Sequence, residues 1–199
     1  DGPSLGGFVC PASVIESAFE AMWNNYYRLA SRGPHLGPPP VADSYPFYVL
    51  IESAGADLEA EAGHFLDALT RATDLGLLQD AVLAQSEKER AAFWAIRDNI
   101  ESLAVLWPLA IFDISLPLAT MEDYLERTGA RLAQRLGELR WVTFGHLGDS
   151  NLHLAIALGG DDADLRHAVE EIVYGELAGI GGSVSAEHGI GLEKREFLH

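Results

Sequence analysis

The sequence predicts an α+β fold, a ferredoxin-like antiparallel sheet with helices packed on one face. Three observations predict it. Strand-like and helix-like segments alternate along most of the chain. Near the C-terminus two strand-like runs, "RWVTFGHL" (140–147) and "NLHLAIAL" (151–158), are joined so tightly that they must pair antiparallel. No GxGxxG after a strand and no P-loop is present, so the chain carries no recognisable nucleotide-binding fingerprint of its own.

The elements follow in order. "SVIESAFEAMWNNYYRLA" (13–30) has helix-like spacing, with Ser13 as its N-cap. The four prolines of "SRGPHLGPPPVADS" (31–44) forbid regular structure. Residues 1–44 therefore read as an N-terminal helix and a Pro-rich connection, and 45–199 as the ferredoxin-like domain. "YPFYVLIES" (45–53) is a β-branched and aromatic strand. "DLEAEAGHFLDALTRATDLG" (57–76) is a helix closing at Gly76. "DAVLAQ" (80–85) reads as a short strand. Ser86 followed by Glu89 opens a helix over 86–106 with a capping box. "AIFDISLPL" (110–118) is a strand, 119–137 a helix, 161–181 the last helix, and "GSVSAEHGIG" (182–191) a final strand or loop.

Composition bounds the function. The 199 residues carry 30 acidic against 13 basic side chains, a net charge of −17. Nucleic acid and anionic membrane surfaces need a basic face and are disfavoured as partners. The most apolar run, "LAVLWPLAIF" (103–112), contains Pro108 and is too short to span a bilayer. A single cysteine, Cys10, excludes an internal disulfide and fits a reducing cytoplasm, the expected location. The chain opens at Asp1 without a methionine and stops after "EKREFLH", so it is expected to be part of a longer polypeptide.

Chemistry concentrates in "GHLGDSNLH" (145–153) and "SAEHGIG" (185–191). With Asp149-Ser150 at a hairpin turn, His146 faces His153 across the ribbon. Directly opposed residues hold their Cβ atoms roughly 4.5–5.5 Å apart. Two imidazoles at that separation can converge on one ion, at Zn–N bonds of about 2.0–2.1 Å. Alternation places Asn151, His153 and Ala155 on one face and Leu152, Leu154 and Ile156 on the core face. The plain alternative is a cross-strand histidine pair without metal. Glu187, among glycines that permit close backbone approach, would complete a two-His, one-carboxylate set. His188 beside it would be left to act as a base. The plain alternative there is a surface loop.

These two motifs together resemble the C-terminal, substrate-binding domain of FAD-linked oxidases. The group is that of D-lactate dehydrogenase, glycolate oxidase subunit and D-2-hydroxyglutarate dehydrogenase, within the vanillyl-alcohol-oxidase superfamily. "YPFYVLIES", "SEKERAAFWAIRDNI" and "IFDISLPL" resemble that domain's earlier blocks in the same order. The resemblance implies that His146, His153 and Glu187 are metal ligands, with zinc or manganese as the ion. It implies that His188 is the catalytic base, that Arg97 grips a substrate carboxylate, and that Asn151 orients the site. It further implies a 2-hydroxy-acid substrate, with hydride passing to FAD held by a domain of the same polypeptide outside these residues. A homodimer is left open. For Arg97 the plain alternative is a helix-surface residue paired with Glu101.

Relatives that bind the second carboxylate of 2-hydroxyglutarate have threonine at the position of Glu101, lysine at Ile111 and asparagine at Ala155. The substrate expected here therefore has an apolar or neutral tail. Two readings from other classes stand beside this one: a zinc-dependent hydrolase with His188 as base, and a non-catalytic ferredoxin-like ligand-binding module.

Overall fold

The computed structural model describes residues 16–191 and 194–197. The chain divides into two compact units, Asp1–Asn99 and Ile100–His199. In the first, β1 (Glu16–Trp23) runs into α1 (Asn24–Ala30) and pairs antiparallel with β2 (Phe47–Ser53). The helix expected over 13–30 is thus a strand followed by a short helix, and Ser13 lies outside the described residues. The ladder explains the correction. Seven residues of β1 find partners on β2, from Trp23 opposite Phe47 to Glu16 opposite Ser53. Tertiary pairing outweighs the helical propensity of a run rich in Glu, Ala and Met. Tyr26, Tyr27 and Ala30 are buried on α1, and the Tyr27 and Tyr48 rings stack with centroids 3.7 Å apart.

Two further helices complete this unit. In α2 (Leu58–Asp74) the Asp57 side chain accepts from Ala60 N, and Gly76 leaves the helix at φ +70°. The expected strand over 80–85 is an irregular loop. With Asp80 at its start and most of its side chains exposed, it finds no sheet edge to extend. In α3 (Glu87–Arg97) Ser86 Oγ accepts from Glu89 N, while the Glu89 carboxylate accepts from Gln85 N. The helix ends at Arg97.

The second unit opens with a 3-10 segment, Ile100–Leu106, where a helix had been expected to continue. It then holds a three-stranded antiparallel sheet with β5 (Asn151–Ala157) between β3 (Leu109–Ser115) and β4 (Trp141–His146). Ala110, Phe112 and Ile114 oppose Ile156, Leu154 and Leu152, and all six are buried. This face is covered by α4 (Leu118–Leu136) and α5 (Ala163–Tyr174). The Tyr124 hydroxyl of α4 donates to Val173 O of α5 at 2.7 Å, and Tyr174 meets Phe112 edge-on at 5.3 Å. Burial pushes the Tyr124 hydroxyl pKa well up. Asp162 caps α5 through two backbone N–H groups, and α5 ends at Tyr174 before a 3-10 turn, Ala178–Ile180. The fold is α+β, with antiparallel strands and the second unit's two helices on one sheet face.

Candidate metal centre

The other face of this sheet bears the candidate chemistry. On β3 it carries Ile111, Asp113 and Ser115, opposite Ala155, His153 and Asn151 of β5. The hairpin between β4 and β5 differs from expectation. Phe144, not His146, lies opposite His153, and the two rings sit 5.0 Å apart. The reason is the turn. Leu147–Asp149 form a 3-10 turn and Ser150 takes a left-handed conformation at φ 59°, so the connection is longer than a two-residue turn. The register moves by two residues, which preserves side-chain parity. His146 therefore still reaches His153, with ring centroids 5.3 Å apart and planes at 86°.

Gly145 makes that approach feasible. A Cβ at this position would collide with the carbonyl oxygen of Asn151 and come within 3.0 Å of Leu152 Cα. The backbones of β4 and β5 are close enough here to exclude any side chain.

Glu187 arrives by a separate route. Ser183 and Ser115 exchange backbone hydrogen bonds of 2.7 and 3.0 Å, which fastens the glycine-rich segment to the end of β3. Two residues back along β3, Asp113 Oδ2 accepts from the backbone N–H of both Glu187 and His188, each at 2.9 Å. Gly189, at φ +73°, then turns the chain away. The Glu187 carboxylate ends 3.7 Å from His146 Nε2. One ligand atom each from His146, His153 and Glu187 lie within 4.8 Å of one another. That is close to the span of ligands around a single ion with bonds of about 2.0–2.2 Å.

Of the other residues singled out by sequence, His188 joins this cluster. Its imidazole is largely exposed, with Nδ1 3.6 Å from Asp113 Oδ2. Asn151 lies on the same face, one pleat from His153. Its amide is buried, and neither Nδ2 nor Oδ1 has a hydrogen-bond partner among the described residues. Arg97 belongs to the first unit and is not a surface residue paired with Glu101. It is 4% exposed, and its Nε donates to Glu20 Oε2 at 2.7 Å.

Asp113 escaped the sequence reading. It is 2% exposed, at the middle of an apolar strand. Burial pushes its pKa up, but the N–H groups of His188 and Glu187 and the nearby His153 and His188 together hold it below the ordinary carboxylate value. The signal was present in "IFDIS": an acid placed among alternating core residues is rarely buried without partners.

Ile111, Asp113, His188, Gly189, Ile190 and Lys194 border an open cleft of about 560 Å³ beside the cluster. Fold and site define an α+β domain in which two imidazoles and a carboxylate gather at ligand spacing on one sheet face. The chain belongs to the family of FAD linked oxidases, C-terminal domain, which it matches over residues 9–199. It is 38% identical over 185 residues to the mitochondrial D-2-hydroxyglutarate dehydrogenase of Bos taurus, covering 92% of this chain and 33% of that protein. It is 36% identical over 182 residues to the mitochondrial enzyme of the same name from Arabidopsis thaliana, covering 90% and 32%. The D-2-hydroxyglutarate dehydrogenase of Xanthomonas citri pv. viticola is 34% identical over 170 residues, covering 82% and 36%. The chain thus spans about a third of the length of the curated relatives it matches. No helix among the described residues is long and apolar enough to cross a membrane.

Proposed function

We propose that this domain supplies the metal, base and substrate-binding residues of an FAD-dependent 2-hydroxy-acid dehydrogenase. The observation that carries this reading is the convergence of His146, His153 and Glu187 from a hairpin and a separate glycine-rich segment. The donor set fits a divalent ion, zinc or manganese: two neutral imidazoles and one carboxylate, with room left for substrate oxygens. The buried amide of Asn151 on the same face, without a hydrogen-bond partner among the described residues, supports a polar ligand there.

When bound, a divalent ion at this site supplies positive charge that acidifies a substrate hydroxyl. Flavin, held by the remainder of the polypeptide, supplies the hydride acceptor. The chain's own residues orient the acid and move the proton. His188 presents Nδ1 to Asp113, so Nε2, on the opposite edge of the ring, is the atom that takes the hydroxyl proton. Asn151 offers its N–H groups to substrate oxygens and its carbonyl oxygen to a substrate hydroxyl. In the first unit Glu20 fixes the plane of the Arg97 guanidinium through Nε, and the resemblance gives that fork a carboxylate to grip.

The tail of the substrate is read from the same sheet face. Ile111 and Ala155 oppose one another one pleat beyond Asp113 and His153. Two residues along a strand span roughly 6.6–6.8 Å. The position next to the metal is thus apolar on both strands, which favours a D-2-hydroxy acid with an apolar or neutral tail. The test is flavin reduction in the complete polypeptide across a series of D-2-hydroxy acids, with and without a chelator. Chelator-sensitive reduction by a monocarboxylic acid supports the reading. Chelator-insensitive reduction, or reduction by no hydroxy acid, refutes it.

A further inference from the structure

We propose that Asp113 is the positioning residue of this centre: it holds the Glu187–His188 backbone and turns His153 so that Nε2, rather than Nδ1, faces the metal. The inference deepens the metal reading above and rests on it for the identity of the bound group.

Four contacts converge on this one carboxylate: two backbone N–H groups, and Nδ1 of His188 at 3.6 Å and of His153 at 4.0 Å. Oδ2 accepts two successive backbone N–H groups, from Glu187 and His188, each at 2.9 Å. These bonds decide where a ligand carboxylate and its neighbouring imidazole leave the main chain. Oδ1 is buried, makes no hydrogen bond among the described residues, and lies 4.0 Å from His153 Nδ1. A buried carboxylate oxygen facing a ring nitrogen favours the tautomer that carries its proton on that nitrogen. Nε2 is then left with its lone pair for an ion. The residue sits directly opposite His153 in the β3–β5 ladder, so the facing of the two side chains is set by register. Asp113 thus ties together a strand, a ligand histidine and the segment bearing the third ligand. Partners of this kind are typically worth about 10–100-fold in metal affinity.

Asp113→Asn tests the idea with little change in shape. Its amide oxygen still accepts the Glu187 and His188 N–H groups, while its NH2 group replaces the negative oxygen 4.0 Å from His153 Nδ1, and this reversal of the local dipole favours the tautomer protonated on Nε2. Nitrogen NMR of the metal-free chain at neutral pH is expected to show His153 protonated on Nδ1 in the wild type and on Nε2 in the variant. Competition titration with zinc is expected to show affinity lowered about 10–100-fold in the variant, with amide-exchange protection of Glu187 and His188 retained. A wild-type His153 protonated on Nε2 overturns the proposal without need of the variant, which covers the case in which Asp113→Asn fails to fold. An unchanged tautomer or unchanged zinc affinity in a folded variant also overturns it. If the wild type binds no zinc, the metal reading falls, and the tautomer alone then decides whether Asp113 orients His153.

Discussion

Arg97 Nε donates to Glu20 Oε2 at 2.7 Å, and both side chains are almost fully buried. The Tyr26 hydroxyl, its pKa pushed up to about 12 mainly by burial, donates to the Arg97 carbonyl at 2.8 Å. Removing one partner of a buried ion pair typically costs about 3–5 kcal/mol, and Asp98, 3.8 Å from Arg97 Nη1, is too exposed to replace Glu20 in full. Glu20→Ala is therefore expected to destabilise the protein by about that amount, as read by denaturant unfolding. Replacing both residues with apolar ones is expected to recover much of the loss. A Glu20→Ala variant as stable as the wild type would show that the pair is not buried as described.

Gly145 lies where β4 and β5 come closest. A methyl group there must push Asn151 and Leu152 away or bend β4, and overpacking of this kind costs about 1–3 kcal/mol. Gly145→Ala is expected to lower the melting temperature and to weaken metal binding, because the displaced strand carries His146. Both are measurable on one preparation.

Glu52 accepts from Trp94 Nε1 and from Arg90, and these bonds hold its pKa below the ordinary carboxylate value despite some burial. A depressed folded-state pKa contributes stability above the unfolded-state value and loses it as pH falls through the folded-state value. Wild type is expected to exceed Glu52→Gln in stability at neutral pH, with the gap closing below the normal glutamate range. A gap that persists unchanged to the acid limit would contradict the assignment.

Ile111 is 55% exposed at the cleft margin and opposes Ala155. If the tail of the substrate lies there, Ile111→Lys in the complete polypeptide shifts preference toward a dicarboxylic hydroxy acid. One added charge pair at a partly exposed site is worth up to about 1 kcal/mol, so kcat/KM ratios are expected to move several-fold. No change in the ratio would place the tail elsewhere.

Much of this was legible in the sequence, for reasons that differ by element. β5 was readable because strict alternation separates Leu152, Leu154 and Ile156 from Asn151, His153 and Ala155, and a shift of two residues leaves that parity intact. α2 announced itself through helical spacing closed at Gly76, and α3 through the capping box at Ser86, signals that act locally. β1 was not legible because its conformation is imposed by β2, whose paired residues lie 24 to 37 positions away in the chain. The hairpin register escaped because it depends on the 3-10 turn and on Ser150 adopting a left-handed conformation that serine seldom takes. The acid inside "IFDIS" marked Asp113 as a residue in need of partners, but which partners it takes, the backbone of a distant segment, no local pattern encodes.

The most direct measurement is the stoichiometry and affinity of zinc and manganese for the purified chain, compared with His146→Ala, His153→Ala and Glu187→Ala. One ion per chain in the wild type, lost or greatly weakened in each variant while the circular dichroism spectrum is retained, is the predicted result. Wild-type binding that all three folded variants preserve, or no binding by the wild type at all, would contradict the account.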